Sequence, residues 1–450
     1  MSKIFCLILS IFLWIPGAFS QTIIHPDSSV RYLTEGVSRD SLRSYVRTLV
    51  NFGTRHTLSS QSDPHHGIGA AREWVLSKFR QDASYSRGRM TVRIDTWMQP
   101  ADHRRIDRPL PMGNVIATIK GTDPDDSRIF MVSAHLDSRC THIMDSTDAA
   151  PGANDDGSGV AAILEMARLL SRYPVKATII LVAVTGEEQG LFGSAHLAEE
   201  AKAGNWNMAA MINNDMIGNS VSGGTDKHDN TKVRIFSEGI PSVETPQGER
   251  LRKDLSGEND SKSRELARYI KTIGDTYVDN LDVVLIYRRD RFLRGGDHIP
   301  FQGKGFTAVR LTDFYEDFDH QHQDVRIENG IQYGDLPQFV DDEYLRKNTC
   351  LNLATVACLT NAPSVPQNVK LDISRLTNYT RLFWQPPAYG KAAGYYVLIR
   401  ETDAPMWQKK FYTDSTEIIL PYSKDNFFFA VQSVGANDLM SMPVFPGIGR

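Results

Sequence analysis

Apolar and polar residues alternate along the chain in two rhythms, one typical of helices and one typical of strands. Residues 38–52, 68–80 and 159–170 carry apolar side chains three and four positions apart, which is the spacing of one helix face. The run Thr178 to Val184 is almost wholly apolar, as expected for a strand buried on both faces of a sheet. Further strand-like runs occupy residues 90–94, 115–119, 129–134, 209–212 and 306–311.

The order of these elements predicts the fold class. Strands that alternate with helices favour a largely parallel sheet covered by helices. We therefore predict an α/β fold over residues 21–360, a three-layer α/β/α sandwich around a mostly parallel, mixed central sheet. Residues from about 219 to 262 are rich in Gly, Ser, Asp, Lys and Glu and lack periodicity. We expect a surface excursion there rather than a domain.

The chain changes character after Leu359. A proline-bearing linker follows, and beyond it short alternating runs separated by turns predict a small all-β sandwich over residues 363–450. The runs VPQNV, FWQPP, GYYVLIR and FFFAVQSV resemble those of a fibronectin type III domain, with Trp384 as its core tryptophan. By analogy of fold, this segment is expected to contact a surface, a matrix or a polymeric substrate.

Composition and the N-terminus narrow the class of protein. The hydrophobic fraction of 41% and the charged fraction of 23% are typical of a globular protein, and a net charge of -4 argues against nucleic-acid binding. Lys3, an apolar stretch and small residues at Ala18 and Ser20 predict a signal peptide over residues 1–20, cleaved before Gln21. We thus expect a secreted or periplasmic protein with no membrane span after cleavage.

The cysteine content decides which side chains could hold a metal. Of four cysteines, Cys6 leaves with the predicted signal peptide, and Cys350 and Cys358 lie eight positions apart on one predicted helix. This pattern favours neither a disulfide framework nor a cysteine-ligated zinc site. Any metal must be bound by His, Asp and Glu.

Acidic residues and histidines stand where the strand-like runs end. Ligands of open α/β sheets sit outside the carboxyl ends of the strands, so these side chains are expected to converge at one edge. Zn²⁺ accepts imidazole nitrogen and carboxylate oxygen, and two ions about 3.5–4 Å apart can share a carboxylate. The motifs are HLDS at His135, GANDDGSG at Gly152, GEE at Gly186, NDMIG at Asn214 and DHQH at Asp319.

In combination and in order, these motifs resemble the metal motifs of the two-zinc aminopeptidase family. That family includes bacterial leucine aminopeptidases, aminopeptidases S and Y, and glutamate carboxypeptidases. The resemblance covers roughly residues 38–360 and implies a secreted metal-dependent exopeptidase that binds two Zn²⁺ ions and acts on peptides or proteins. The motif NFGTRH at Asn51 and the motif GDHIPF at Gly296 also look like that family.

Carried over residue by residue, the resemblance implies a role for each site residue. A zinc-bridging hydroxide would attack the scissile carbonyl, and a carboxylate beside a metal ligand would serve as its general base. His135 and Asp215 would bind one zinc, Glu188 and a C-terminal histidine would bind the other, and Asp155 would bridge the two. Glu187 would be the general base. Asp137 would form a hydrogen bond with the far nitrogen of His135.

For two of these roles, a residue nearby in the sequence could serve instead of the one we assign. Asp156 adjoins Asp155, and we choose Asp155 because the family pattern places the bridge directly after Asn. His320 competes with His322, and we favour His322 from the usual end of the motif. Many family members carry a tyrosine before this histidine, where this chain has Gln321, so the oxyanion donor stays open between Tyr287, Tyr315 and an arginine of residues 288–294.

Other functions on the same scaffold remain as alternatives. A glutaminyl cyclase would use one zinc, and the motif at Asp297 and His298, which we place in the pocket wall, is reminiscent of it. A carboxypeptidase is favoured if the arginine run over residues 288–294 lines the pocket. A non-enzymatic binding protein would be expected to have lost a ligand or Glu187.

Overall fold

The computed structural model describes residues 26–449. The predicted signal peptide lies outside these residues and stays a prediction. Within the described residues, no helix is long and apolar enough to cross a membrane. The described cysteines Cys140, Cys350 and Cys358 are free and buried.

The centre of the molecule is a mixed sheet of eight strands, in the order β1-β2-β4-β3-β5-β8-β6-β7. β3 pairs in parallel with β4 and β5, and β5 pairs in parallel with β8, so the middle of the sheet is parallel. The strands are β1 (Met90–Gln99), β2 (Leu110–Ile119), β3 (Ile129–His135), β4 (Thr178–Val184), β5 (Met208–Asn214), β6 (Lys232–Phe236), β7 (Asp282–Ile286) and β8 (Ala308–Asp313).

Helices cover both faces of this sheet. α2, α4, α7 and α9 pack together on one face, where the largest apolar core lies, and α5 and α8 pack on the other. The predicted three-layer α/β/α fold class is confirmed. The helices are α1 (Ser28–Glu35), α2 (Arg39–Val50), α3 (Gly67–Ala83), α4 (Gly157–Leu170), α5 (Phe192–Ala203), α6 (Pro246–Asp254), α7 (Lys262–Tyr277), α8 (His298–Gly303) and α9 (Asp342–Asn361).

The surface excursion expected over residues 219–262 is only partly what the structure shows. This stretch contains α6 and also β6, which pairs with β7 and β8 inside the central sheet. Val233 and Ile235 of β6 are buried, while Arg234 between them pairs with Glu316 at 2.7 Å. A five-residue strand with two basic residues carries too little apolar signal to be recognised in a polar stretch.

The C-terminal segment forms small β-sheets, as predicted. A four-stranded sheet has the order β15-β12-β11-β17, and a three-stranded sheet has the order β14-β13-β16. Trp384 is buried between them, with its ring edge-to-face against Tyr395 at 5.2 Å. A hairpin of β9 (Arg326–Glu328) and β10 (Ile331–Tyr333) precedes β11 (Gln367–Asp372), β12 (Thr380–Gln385), β13 (Gly394–Glu401), β14 (Lys409–Thr413), β15 (Glu417–Leu420), β16 (Phe427–Val434) and β17 (Gly447–Gly449).

A buried ionic network joins these sheets to helix α7. Arg400 Nη2 lies 2.7 Å from Asp260 Oδ1, and Arg268 Nη1 lies 2.9 Å from the same oxygen. Glu265 pairs with Arg268 and accepts a 2.9 Å hydrogen bond from Trp407 Nε1. The Asp260 and Arg400 side chains are at most 1% exposed. Because buried charges are costly without partners, the two parts of the chain depend on each other here.

The variant Arg400→Ala tests this dependence. It leaves Asp260 with Arg268 alone, and we expect the free energy of unfolding in urea to fall by about 3 kcal/mol. Arg381→Ala is the matched control, because Arg381 and Glu417 form a pair on the same sheets with 41% and 56% exposure. That control should lower the free energy of unfolding far less than Arg400→Ala does, because an exposed ion pair contributes little to stability. Equal losses in the two variants would contradict a stabilising role for the network.

Candidate metal centre

The parallel strands bring the predicted site residues to one edge of the sheet. In register, His135 of β3 lies opposite Val184 of β4, so the residues that follow β4 lie beside His135. β5 runs parallel on the other side of β3. The side chains that meet at this edge are His135 at the end of β3, Asp155 before α4, Glu187 and Glu188 after β4, Asp215 after β5, and His322 in the segment after β8.

Two groups of possible ligands share one carboxylate. The first is His135, Asp155 and Asp215, with His135 Nε2 at 3.0 Å from Asp155 Oδ1 and 3.8 Å from Asp215 Oδ1. The second is Asp155, Glu188 and His322, with His322 Nε2 at 2.9 Å from Asp155 Oδ2 and 3.0 Å from Glu188 Oε1. In each group the ligand atoms lie within 4.8 Å of one another. The two oxygens of Asp155 thus face different groups.

The charges of the site fit divalent cations. Glu188 Oε1 is buried and, among the described residues, receives no hydrogen bond of good geometry, although His322 Nε2 is close. Burial alone would lower the pKa of His322, but Glu188 and Asp155 raise it to about 9. Carboxylates that lie this close together are stabilised by a neighbouring positive charge. Imidazole nitrogen and carboxylate oxygen are both ligands that zinc binds in proteins.

The expected hydrogen bond between His135 and Asp137 forms at the main-chain carbonyl of Asp137, an atom that the sequence did not specify. His135 Nδ1 donates a 3.0 Å hydrogen bond to the main-chain carbonyl of Asp137, while the carboxylate oxygen Oδ1 is 4.0 Å away. That carboxylate instead accepts hydrogen bonds from the amides of Glu187 and Glu188, at 3.2 and 3.0 Å, and from the hydroxyl of Thr57. Asp137 therefore holds the Glu187–Glu188 turn, and its carbonyl leaves Nε2 of His135 free for a metal.

Asp155 and Asp156 face different partners, although they are adjacent and joined by a cis peptide bond. Asp156 caps α4 by accepting from the amide of Gly159, and it also accepts from the amides of His135 and Met216. Asp155 faces the two histidines. The choice of Asp155 over Asp156 as the shared carboxylate agrees with this arrangement.

His322 is brought to the site and His320 is not. His320 stacks on the ring of Phe339 with centroids 3.6 Å apart, and its Nδ1 lies 3.2 Å from Asp317. His322 adopts a positive φ of 58°, a backbone conformation that is uncommon for residues other than glycine and recurs at functional sites.

Comparison with known proteins places the chain in a family. A model of peptidase family M28 matches residues 114–339, a span that includes both ligand groups. A probable zinc metalloprotease of Leptosphaeria maculans is 43% identical over 422 residues, 94% of this chain and 97% of that protein. The chain belongs to peptidase family M28.

Other relatives agree with this membership. A probable zinc metalloprotease of Pyricularia oryzae is 43% identical over 432 residues, covering 94% of this M28 peptidase and 85% of that protein. Among solved structures, the LapA aminopeptidase of Legionella pneumophila superposes with a TM-score of 0.52 at 17% identity, over 76% of this chain and 78% of LapA. An aminopeptidase from Aneurinibacillus sp. strain AM-1 superposes with a TM-score of 0.50 at 13% identity, over 73% of this chain and 95% of that protein. These two likenesses show a common fold.

Glu187 lies on the wall of a cavity of about 530 Å³ that also exposes Asp155, Glu188 and Asp215. Burial raises the pKa of the Glu187 carboxyl well above its ordinary value, and His135 opposes this shift while Asp215 and Glu188 add to it. A carboxylate accepts a proton most effectively when its pKa lies near the pH of the reaction, and burial shifts the pKa of Glu187 in that direction. The M28 peptidase thus has a candidate base in the same cavity as both ligand groups.

Arg310 and Gln321 support the site, and we did not predict either role. Arg310, fully buried on β8, places Nη2 2.9 Å from Asp215 Oδ1. Burial alone would raise the pKa of Asp215, but Arg310 and His135 hold it well below its usual range. Gln321 Nε2 donates a 3.1 Å hydrogen bond to Asp155 Oδ2. An arginine inside the apolar run 306–311 was the sequence signal for Arg310, since such a charge needs a partner.

The remaining candidates lie outside the two ligand groups. Asp297 and His298 are fully buried, and burial raises the pKa of Asp297 to about 7 and lowers that of His298 to about 4. Tyr287 donates to the carbonyl of Pro405 and does not line the cavity. Neither does Tyr315. Of the arginine run, Arg291 and Arg294 do line the cavity.

The amount of metal bound per chain tests whether His322 or His320 is a metal ligand. His322→Ala removes one nitrogen of the second group and should lower bound metal by roughly half, whereas Asp155→Ala should remove most of it because both groups share that residue. His320→Ala is the matched control and should keep the wild-type content. Plasma mass spectrometry counts the metal, and circular dichroism checks folding. Equal metal loss in the two histidine variants would speak against the assignment of His322.

Proposed function

We propose that this M28 peptidase is a zinc-dependent aminopeptidase, an exopeptidase that releases N-terminal residues from peptides. The observation that carries the proposal is the pair of ligand groups sharing Asp155, with Glu187 in the same cavity. The relatives named as probable zinc metalloproteases support zinc as the metal and peptides as the substrate class.

The residues that would hold zinc follow from the two groups. One ion would take His135, Asp155 and Asp215, and the other would take Asp155, Glu188 and His322. When bound, zinc supplies Lewis-acid chemistry, which lowers the pKa of a water molecule and polarises a carbonyl group. Arg310 and Gln321 would hold Asp215 and Asp155 in place, through the contacts at 2.9 and 3.1 Å.

Glu187 would move the proton of the reaction. Its carboxylate accepts a proton from the attacking water, whose oxygen bonds to the scissile carbonyl carbon. When the carbon–nitrogen bond breaks, the same carboxyl group gives the proton to the departing amine. The hydrogen bond from the Glu187 amide to Asp137 holds the backbone of this residue at the end of β4.

The distribution of charge in the cavity suggests how a peptide would lie. All its acidic lining residues belong to the ligand groups or are Glu187, so two divalent cations would balance their charge and supply a Lewis acid that could accept the uncharged α-amino group of a substrate. Two of the arginines border these groups, since Arg105 Nη1 donates to the carbonyl of Glu188 at 2.8 Å and Arg294 Nη1 donates to Gln321 Oε1 at 3.3 Å. The solved aminopeptidases that share this fold support a reaction at the amino end of the substrate.

Two other reactions on this scaffold remain alternatives. Arg294 on the cavity wall favours a carboxypeptidase, because a guanidinium binds a terminal carboxylate. A cyclase of N-terminal glutamine needs one zinc, and the second ligand group with Glu187 argues against it.

The variant Glu187→Gln tests the proposed base. It keeps the shape of the side chain but cannot accept the proton, so kcat on aminoacyl chromogenic substrates should fall by roughly 100-fold or more. Zinc content should stay at the wild-type level, since Glu187 belongs to neither ligand group. Glu249→Gln, on the surface of α6, is the control and should leave kcat unchanged. Full activity in Glu187→Gln would refute the role.

Blocking the amino end separates the three reactions. An aminopeptidase should cleave Leu-Ala-Ala and leave N-acetyl-Leu-Ala-Ala intact, because the acetyl group removes the cationic amine. Mass spectrometry identifies the products. Loss of the C-terminal alanine from the acetylated peptide would indicate a carboxypeptidase. Cyclisation of Gln-Ala-Ala without any hydrolysis would indicate a cyclase.

A further inference from the structure

The charged residues that line the cavity fall into two separate sets. The acidic ones are Glu187 and members of the two ligand groups. Among the described lining residues, every other charged side chain apart from His322 is an arginine: Arg105, Arg139, Arg291 and Arg294. Two divalent cations would offset the acidic set, which would leave the wall with a net positive charge.

Arg291 is fully engaged within the protein. Its Nη1 lies 3.1 Å from Glu316, its Nε lies 3.4 Å from Asp290, and its Nη2 donates to the carbonyl of Gly295. The side chain is 9% exposed. Arg291 is therefore part of the wall and has little capacity for a ligand.

Arg139 and Arg294 keep N–H groups available. Arg139 donates only to the carbonyls of Cys140 and Thr141, at 3.2 and 3.3 Å, and pairs with no carboxylate among residues 26–449. Arg294 Nη1 lies 2.9 Å from Glu316, but that carboxylate also binds Arg234 and Arg291. One carboxylate cannot neutralise three guanidinium groups, so positive charge remains at Arg294.

The surroundings of these arginines favour a strong interaction with an anion. Arg294 is 31% exposed, and the apolar side chains of Leu293 and Phe318 line the same cavity. A guanidinium that is partly shielded from water binds carboxylates more strongly than an exposed one, and two N–H groups can engage both oxygens.

We propose that Arg139 and Arg294 bind a substrate carboxylate on the leaving-group side of the scissile bond. The carboxylate is either the C-terminal one of a short peptide or the side chain of an acidic residue. This inference rests on the proposed peptidase function: when the amino end of a peptide lies at the ligand groups, the arginines are left to the part of the substrate beyond the scissile bond. The cavity thus selects short or acidic peptides.

Four peptides separate the two sources of the carboxylate. Leu-Ala against Leu-Ala-amide tests the terminal carboxylate, and Leu-Glu-amide against Leu-Gln-amide tests the side chain. We expect the free acid of at least one pair to have a kcat/KM about ten-fold higher than its neutral partner, mainly through KM. Higher ionic strength should raise KM for that acid and leave KM for its partner unchanged.

The variants Arg139→Gln and Arg294→Gln connect this preference to the residues. Each should reduce the preference for the acid several-fold and leave the neutral amides within about two-fold of wild type. Arg381→Gln, on the C-terminal sheets, should keep the preference. Metal content and the urea midpoint verify folding, and Arg139→Lys with Arg294→Lys, which keep the charge, should retain part of the preference.

The outcomes distinguish failure of this inference from failure of the proposed function. Equal kcat/KM within both peptide pairs, in an enzyme that cleaves all four peptides, would overturn the carboxylate site alone. A preference that survives in both glutamine variants would also overturn it. If metal-loaded wild-type protein cleaved none of the four peptides or any aminoacyl chromogenic substrate, the aminopeptidase proposal itself would fall.

Discussion

The structure is organised around a concentration of buried negative charge at Asp155. This carboxylate lies 3.0 Å from one histidine and 2.9 Å from another, and three more acidic side chains share the same cavity. In a medium of low polarity, such charges need cations or protons beside them. Neighbouring groups hold the carboxylate in place: Gln321 donates to it, and Asp335 accepts from its backbone amide at 2.7 Å. The local structure is arranged to keep an otherwise unfavourable charge in a fixed position.

The fold makes this arrangement possible because parallel strands end at one edge. His135 is the last residue of β3, and Asp215 follows directly after β5, so their positions are set by strand pairing rather than by flexible loops. The backbone of Glu187 and Glu188 is held by Asp137 on the neighbouring strand end. Rigid placement of this kind reduces the reorganisation required when charge develops during a reaction.

The fold class and the order of the site residues could be predicted from the sequence, because both depend on local patterns. Apolar runs followed by polar residues mark strand ends, and strand ends converge in α/β folds. The sequence pattern did not predict β6, because this strand contains polar residues and is stabilised by pairing with β7 and β8. Nor could it distinguish the carbonyl of Asp137 from its carboxylate as the partner of His135, since that choice is made by rotamer and distance. Contacts such as Arg310 with Asp215 join residues 95 positions apart, and no local pattern encodes them.

The C-terminal sheets contact helix α7 and the residue before the arginine run through the same kind of long-range contact. The carbonyl of Pro405 accepts hydrogen bonds from Arg268 Nε at 2.8 Å and from the Tyr287 hydroxyl at 2.7 Å. Arg264 lies over the Tyr287 ring at 3.9 Å. Tyr287 directly precedes the arginine run whose members Arg291 and Arg294 line the cavity. The C-terminal sheets are thus packed against the start of that run, while the residues that line the cavity all belong to residues 105–323.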